Sequence, residues 1–211
     1  MARYKNGING PVSGKVGTVV AASWRGIDYL RSVSDTRNVK WTEAQVLQRL
    51  KMAAVMAWLK PLLVVINIGF QAFREKKTPL NAAVSYHLKE ALKGEPPEYE
   101  IDFKKAIFSI GVLLVSFVRE VLGIGNALLH LKWENGVETA YSAPGDRATF
   151  IVYNKARERF VTFENEAVRA DGEATLQLPE EFEGDTVHCY MFYVGGKMVS
   201  TSSYLGEVVV A

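Results

Sequence analysis

From residue 99 to the end, the chain is cut into short apolar stretches by turn residues, and this rhythm limits what the second half can become. The stretches are "ALLHLKW", "ATFIVYN", "RFVTFEN", "EATLQLP", "DTVHCYMFYV" and "SSYLGEVVV". Between them stand "ENG", "APGD", "NKARE", "ADG", "EGD" and "GGK". Their β-branched and aromatic side chains favour extended backbone, and strands recurring every 8 to 12 residues or so are the mark of an antiparallel sandwich.

Upstream, the texture is different. "GKVGTVVAAS", "WRG" and "IDYLRSV" read as strand, turn and strand, with Gly26 free to take the positive φ of a tight connection. Trp24 and Tyr29 flank that turn. A helix start follows: Thr42 stands at the cap position with Gln45 three residues on, and Trp41 and Val46 stand at hydrophobic-staple positions. The helix from Glu43 to about Lys60 sets Val46/Leu47, Leu50, Ala53/Ala54 and Ala57/Trp58 on one stripe, expected to be its buried face. Pro61 ends or kinks it, the apolar stretch to Phe73 predicts a second helix, and Thr78-Pro79 opens a third that closes near Gly94. "EPPEYEIDF" then reads as a linker, which divides the chain into residues 1–94 and 95–211. The expectation is an α+β protein: an N-terminal β-hairpin and three-helix segment, then an antiparallel β-sandwich. Trp133 on an early strand, and a long penultimate strand before a Ser-rich last one, make residues 95–211 resemble an immunoglobulin-like or fibronectin type III module.

Charge follows the same division. Residues 1–93 hold 15 Lys and Arg against 5 Asp and Glu, whereas residues 94–211 hold 10 against 18. The formal net charge of +2 hides two opposed halves. The longest apolar runs, Pro61 to Phe70 and Ala106 to Val118, fall short of the roughly 20 residues of a membrane span and read as core segments. No basic stretch followed by an apolar one opens the sequence, so the expected site of action is the cytoplasm, with association with a larger particle or a non-standard export route as the alternatives.

The chemistry-bearing motifs are incomplete. "NGPVSGKVGTVV" has Asn9 where a phosphate loop needs glycine and Val16 where it needs Ser or Thr. "GIGNA" lacks the last glycine of a dinucleotide fingerprint. His87, His130 and His188 lack metal-ligand spacing, and Cys189 is the sole cysteine, so no disulfide, metal or cofactor is expected. His188 and Cys189, adjacent on a strand, point to opposite faces and cannot activate one another. Glu180, Glu181, Glu183 and Asp185 crowd one polar turn, where solvated acids keep ordinary behaviour. No enzyme is expected.

What remains is a contact surface. Trp24, Arg25, Tyr29 and Arg31 gather at one turn and are the expected binding residues. The expected partner is protein: further copies of this chain or a larger assembly, the basic face of one copy meeting the acidic module of the next. Nucleic acid is the alternative, since Arg3, Lys5, Lys15, Arg25, Arg31, Arg37 and Lys40 interleave with Tyr4, Trp24, Tyr29 and Trp41 as a strand-tracking arm would. "SGKVGTVVAASWRGIDYLRS", "TEAQVLQRLKMA", "TPLNAAVSYHLKEALKG", "YEIDF" and the closing "GDTVHCYMF" and "VSTSSYLGEVVVA" together resemble an uncharacterised bacterial domain-of-unknown-function family. The resemblance implies a hairpin opening and a β-rich second half, and brings no activity or catalytic residue.

Overall fold

The computed structural model describes residues 3–4, 11–24, 26–33, 40–74 and 77–211. The chain forms two compact units, Met1–Thr42 and Glu43–Ala211.

The first unit is a four-stranded antiparallel sheet in the order β1-β2-β3-β4: β1 (Arg3–Tyr4), β2 (Val12–Val16), β3 (Val19–Trp24) and β4 (Ile27–Ser32). The expected first strand is thus two, because Gly17 at φ +58° turns the chain between Val16 and Val19. The second turn lies where Gly26, at φ +79°, was expected to place it. A phosphate loop would need residues 12–16 coiled; here they are a strand.

The second unit opens with the expected helices. α1 (Glu43–Leu59) runs into a 3₁₀ turn at Pro61, then α2 (Leu63–Gly69), and α3 (Pro79–Tyr86) continues as a π-helical turn, His87–Ala91. The Thr78 hydroxyl caps α3, accepting from the Asn81 amide at 3.2 Å. A short ribbon, β5 (Leu92–Lys93) and β6 (Glu100–Ile101), follows. The strands β7 (Phe117–Ile124), β8 (Leu128–Glu134) and β11 (Glu173–Gln177) form one sheet, ordered β11-β8-β7. β9 (Arg147–Asn154), β10 (Arg159–Val168), β12 (Thr186–Gly195) and β14 (Ser203–Val209) form the other, ordered β10-β9-β12-β14, with the short β13 (Met198–Val199) folded back on the end of β12. Three strands facing four is the expected immunoglobulin-like sandwich.

Two cores explain how this unit holds together. Leu129, Leu131 and Trp133 of β8 meet Phe150 and Val152 of β9, and Cys189, Met191 and Tyr193 of β12, between the sheets. The alternate residues Ile151, Tyr190 and Phe192 emerge on the other face of the large sheet, under Val55, Leu59, Leu62, Ile66 and Phe70 of the helices. β9 and β12 are therefore covered on both faces, which is why they read as unbroken apolar runs rather than alternating ones. The division expected after Gly94 falls inside this unit, and the helices' Lys and Arg belong to the same packed body as the acidic sandwich.

The buried face of α1 matches the expected stripe only in part. Val46, Leu50 and Ala53 are exposed, Leu47, Ala54 and Trp58 are half-buried, and the helix's last two turns join the core through Val55, Trp58 and Leu59. The helical run Glu43–Gly69 is long enough to cross a membrane and contains an 18-residue window with a mean hydropathy of 1.8, a property that core helices share; 33% of that window is buried. The run 106–118, expected to be core, is also divided. Ala106, Phe108 and Leu113 are buried, but Val112, Leu114, Val115 and Phe117 are exposed, because this extended segment is laid along residues 199–202 with one side inward. Ser109 Oγ donates to the Ser200 carbonyl at 2.7 Å, and the Phe108 amide donates to Ser202 Oγ at 2.8 Å.

Candidate functional site

Trp24, Tyr29 and Arg31 lie on one face of the first unit's sheet. β3 and β4 pair Trp24 with Ile27, Ala22 with Tyr29 and Val20 with Arg31, and residues two apart share a face. Arg25 lies outside the described residues. Ile27, missed by the sequence reading, joins this face at 65% exposure. Val16, Val19 and Leu30 occupy the opposite face, Val16 and Leu30 at 58% and 71% exposure. Among the described residues of this unit, Ala21 alone is buried.

In the second unit, a cleft of about 340 Å³ opens between α1 and the β9–β10 hairpin. Ala54, Ala57, Trp58 and Pro61 stand three or four residues apart and form its helical wall. Tyr99 and Phe103, on either side of β6, form the floor, and Tyr153 and Phe160 come from the hairpin. The rings touch one another: Trp58 lies 5.3 Å from Phe160, and Tyr153 4.5 Å from Phe160 and 5.3 Å from Phe103. Lys155, Glu158 and Glu100 supply the charges, and Lys155 Nζ stands 5.8 Å over the Phe103 ring. The Trp58 indole Nε1 is buried, on the side of Tyr153. Burial raises the Tyr153 hydroxyl pKa, and a hydrogen bond from the Trp58 side chain opposes that rise.

Two histidines flank this aromatic cluster without meeting. His87 is fully buried, its ring 5.6 Å from Trp58; Nδ1–H donates to the Ala83 carbonyl at 2.8 Å, leaving Nε2 unpaired. Burial lowers its pKa. His188 stacks 4.3 Å from Phe103 and shares a 3.0 Å hydrogen bond with the Tyr204 hydroxyl; burial lowers its pKa, and Glu207 opposes that. Cys189 points the other way, between the sheets, where burial pushes its thiol up to about 12. A thiol held protonated in a dry core is no nucleophile. His130 lies apart, beside Thr175 on the outer face of the small sheet.

The acidic turn resolves into structural pairs. Asp185 accepts from Asn154 at 2.8 Å and from Arg157 at 2.7 Å, and these two donors lower its pKa. Glu181 pairs with Arg159. Among the described residues, no group of three His, Cys, Asp or Glu side chains is placed to hold a metal ion.

One polar cluster gave no sequence signal. Arg169 and Asp146, 3% and 4% exposed, form an ion pair at 3.1 Å at one end of the sandwich. Arg169 also donates to the Leu114 carbonyl at 2.7 Å and lies 3.8 Å over the Tyr193 ring. Its own carbonyl accepts from Trp133 Nε1 at 3.0 Å. The guanidinium is satisfied on every side, as a structural clamp requires.

Sheet, sandwich and cleft define an α+β protein with a helical layer over an immunoglobulin-like sandwich and a small sheet preceding it. The chain belongs to DUF6266, a family of unknown function, whose sequence profile matches residues 11–206. No curated protein matches it.

Proposed function

We propose that this protein is a non-catalytic structural or interaction component that assembles with further copies of itself through its first unit. The observation that carries the reading is how little that unit buries among its described residues. There, a small sheet carries large apolar side chains on both faces and buries one alanine, whereas sheets stable in water bury a packed face. Charge supports a partner of the same kind. Residues 1–42 hold seven Lys and Arg against two Asp, and residues 43–211 hold 18 against 21 Asp and Glu, so the first unit of one copy attracts the second unit of another. Such a contact is heterologous and propagates into rings or filaments. Trp24, Tyr29 and Arg31, with Ile27 beside them, form one contacting face.

Sedimentation of the full chain tests this across concentration at low and high salt. Assembly should grow with concentration and weaken with salt. A monomer at high concentration and low salt contradicts the proposal. The basic residues of the first unit keep nucleic acid as the second reading, and a DNA and RNA titration with no salt-sensitive affinity removes it.

A further inference from the structure

The two faces of the first sheet differ in charge as well as in side chains. Lys15 pairs with Val20 and Val20 with Arg31, so both basic residues project with Trp24, Ile27 and Tyr29, whereas Asp28 projects with Leu30 on the other side. Trp24, Ile27 and Tyr29 are 54%, 65% and 43% exposed. A surface that covers this face must offer an apolar recess with acids around it. We propose that the recess is the cleft of the second unit in another copy, which takes the Trp24 side chain with Ile27 beside it. This rests on the assembly reading above and assigns the site that receives the first unit.

Three features select the cleft. Its walls are the rings of Trp58, Tyr99, Phe103, Tyr153 and Phe160, against which an indole packs by face and edge. Its 340 Å³ sits near the lower end of ligand sites and suits one or two large side chains better than a long extended segment. Its rim is acidic. Glu100 and Glu158 are exposed there, and residues 95–102, which supply Tyr99 and Glu100, hold four acids and no base. Lys155, the base among the lining residues, is turned over the Phe103 ring. An aromatic knob ringed by bases thus meets an aromatic recess ringed by acids, the pairing that gives an interface its anchor and its register. Other exposed apolar surfaces of the second unit match less well. Val46 and Val64 lie one turn from Arg49 and Lys60, which carry the same sign as Lys15 and Arg31. Phe117 lies across from Glu134, whose charge Arg119 already takes at 2.7 Å. Because knob and recess are different surfaces, every joined pair still presents one of each, and the contact propagates.

The test mixes two full-length variants and follows them by sedimentation. Trp24→Ala removes the knob and keeps the recess. Ala57→Arg, an exposed helical change in the cleft wall, brings bulk and positive charge to the recess and keeps the knob. Each alone should assemble about tenfold more weakly than the wild-type chain, or worse. Mixed in equal amounts, they should form a one-to-one dimer and stop there, since one knob and one recess remain between them. Ala57→Arg added to the wild-type chain should shorten its assemblies, because such a copy enters a recess and offers none; this arm leaves the first unit unaltered. E100Q/E158Q should weaken assembly about two- to fivefold and flatten its dependence on salt. A wild-type chain that assembles while the two variants give no mixed dimer, or while Ala57→Arg neither fails alone nor shortens wild-type assemblies, overturns this inference and leaves the assembly reading standing. A wild-type chain that stays monomeric at every concentration overturns both.

Discussion

β3 and β12 are both antiparallel strands rich in apolar residues, yet they meet water differently. β12 buries every side chain from Val187 to Tyr193, whereas β3 buries Ala21 alone. The difference lies in what covers them. β12 is the centre of a large sheet with a second sheet on one face and helices on the other, and β3 has no such layers among the described residues. A strand's composition sets what it can bury; its neighbouring layers decide what it does bury.

The largest expected effect probes the deep side of this contrast. Arg169→Ala leaves Asp146 buried without its partner and should cost about 3 to 5 kcal/mol in denaturant unfolding. A cost below about 1 kcal/mol would mean that water reaches that end of the sandwich. Next comes Gly69→Ala, where a Cβ would stand 2.1 Å from the Phe108 carbonyl oxygen, joining α2 to the extended segment beneath it. It should destabilise by about 1 to 3 kcal/mol through overpacking, and a neutral result would show that the helical layer is not held tightly there. On the shallow side, Ile27→Asp should change the unfolding of the second unit by less than about 0.5 kcal/mol. It should nevertheless abolish concentration-dependent sedimentation.

The smallest effect is a slope with pH. His87 and His188 have pKa values below the ordinary 6.5, so the folded state favours their neutral forms. Their contribution is fully present above the unfolded value and is lost as pH falls through 6.5 towards the folded values. The histidine contribution should be flat above about pH 7 and decline on acidification below about pH 6.5. His87→Phe, which also removes the unpaired Nε2, should flatten part of that decline. An unchanged slope in the variant would place the effect elsewhere.

The sandwich strands were legible because turn residues bracket them closely: "ATFIVYN" and "RFVTFEN" differ from β9 and β10 by a few end residues. β7 was not, because Phe117–Ile124 begins inside a run whose apolar residues look like core until one side is seen to face solvent. Helix starts were legible from Thr42 and Thr78-Pro79, since capping is local chemistry. The buried face of α1 was not, because periodicity marks a stripe without saying how much of the helix finds a surface to lie on. Of the cleft, Trp58 appeared only as a stripe member. Its meeting with Tyr153 and Phe160 depends on packing between residues about a hundred apart, and no local spacing reports that. Arg169 and Asp146 were silent for the same reason.

Amide hydrogen exchange of the full chain at several concentrations tests most directly whether the first unit completes its packing on another copy. The account predicts that β2, β3 and β4 amides exchange fast when dilute and gain protection as concentration rises, while β9 and β12 stay protected throughout. Strong protection of β3 and β4 at every concentration, with no dependence on copy number, would contradict it.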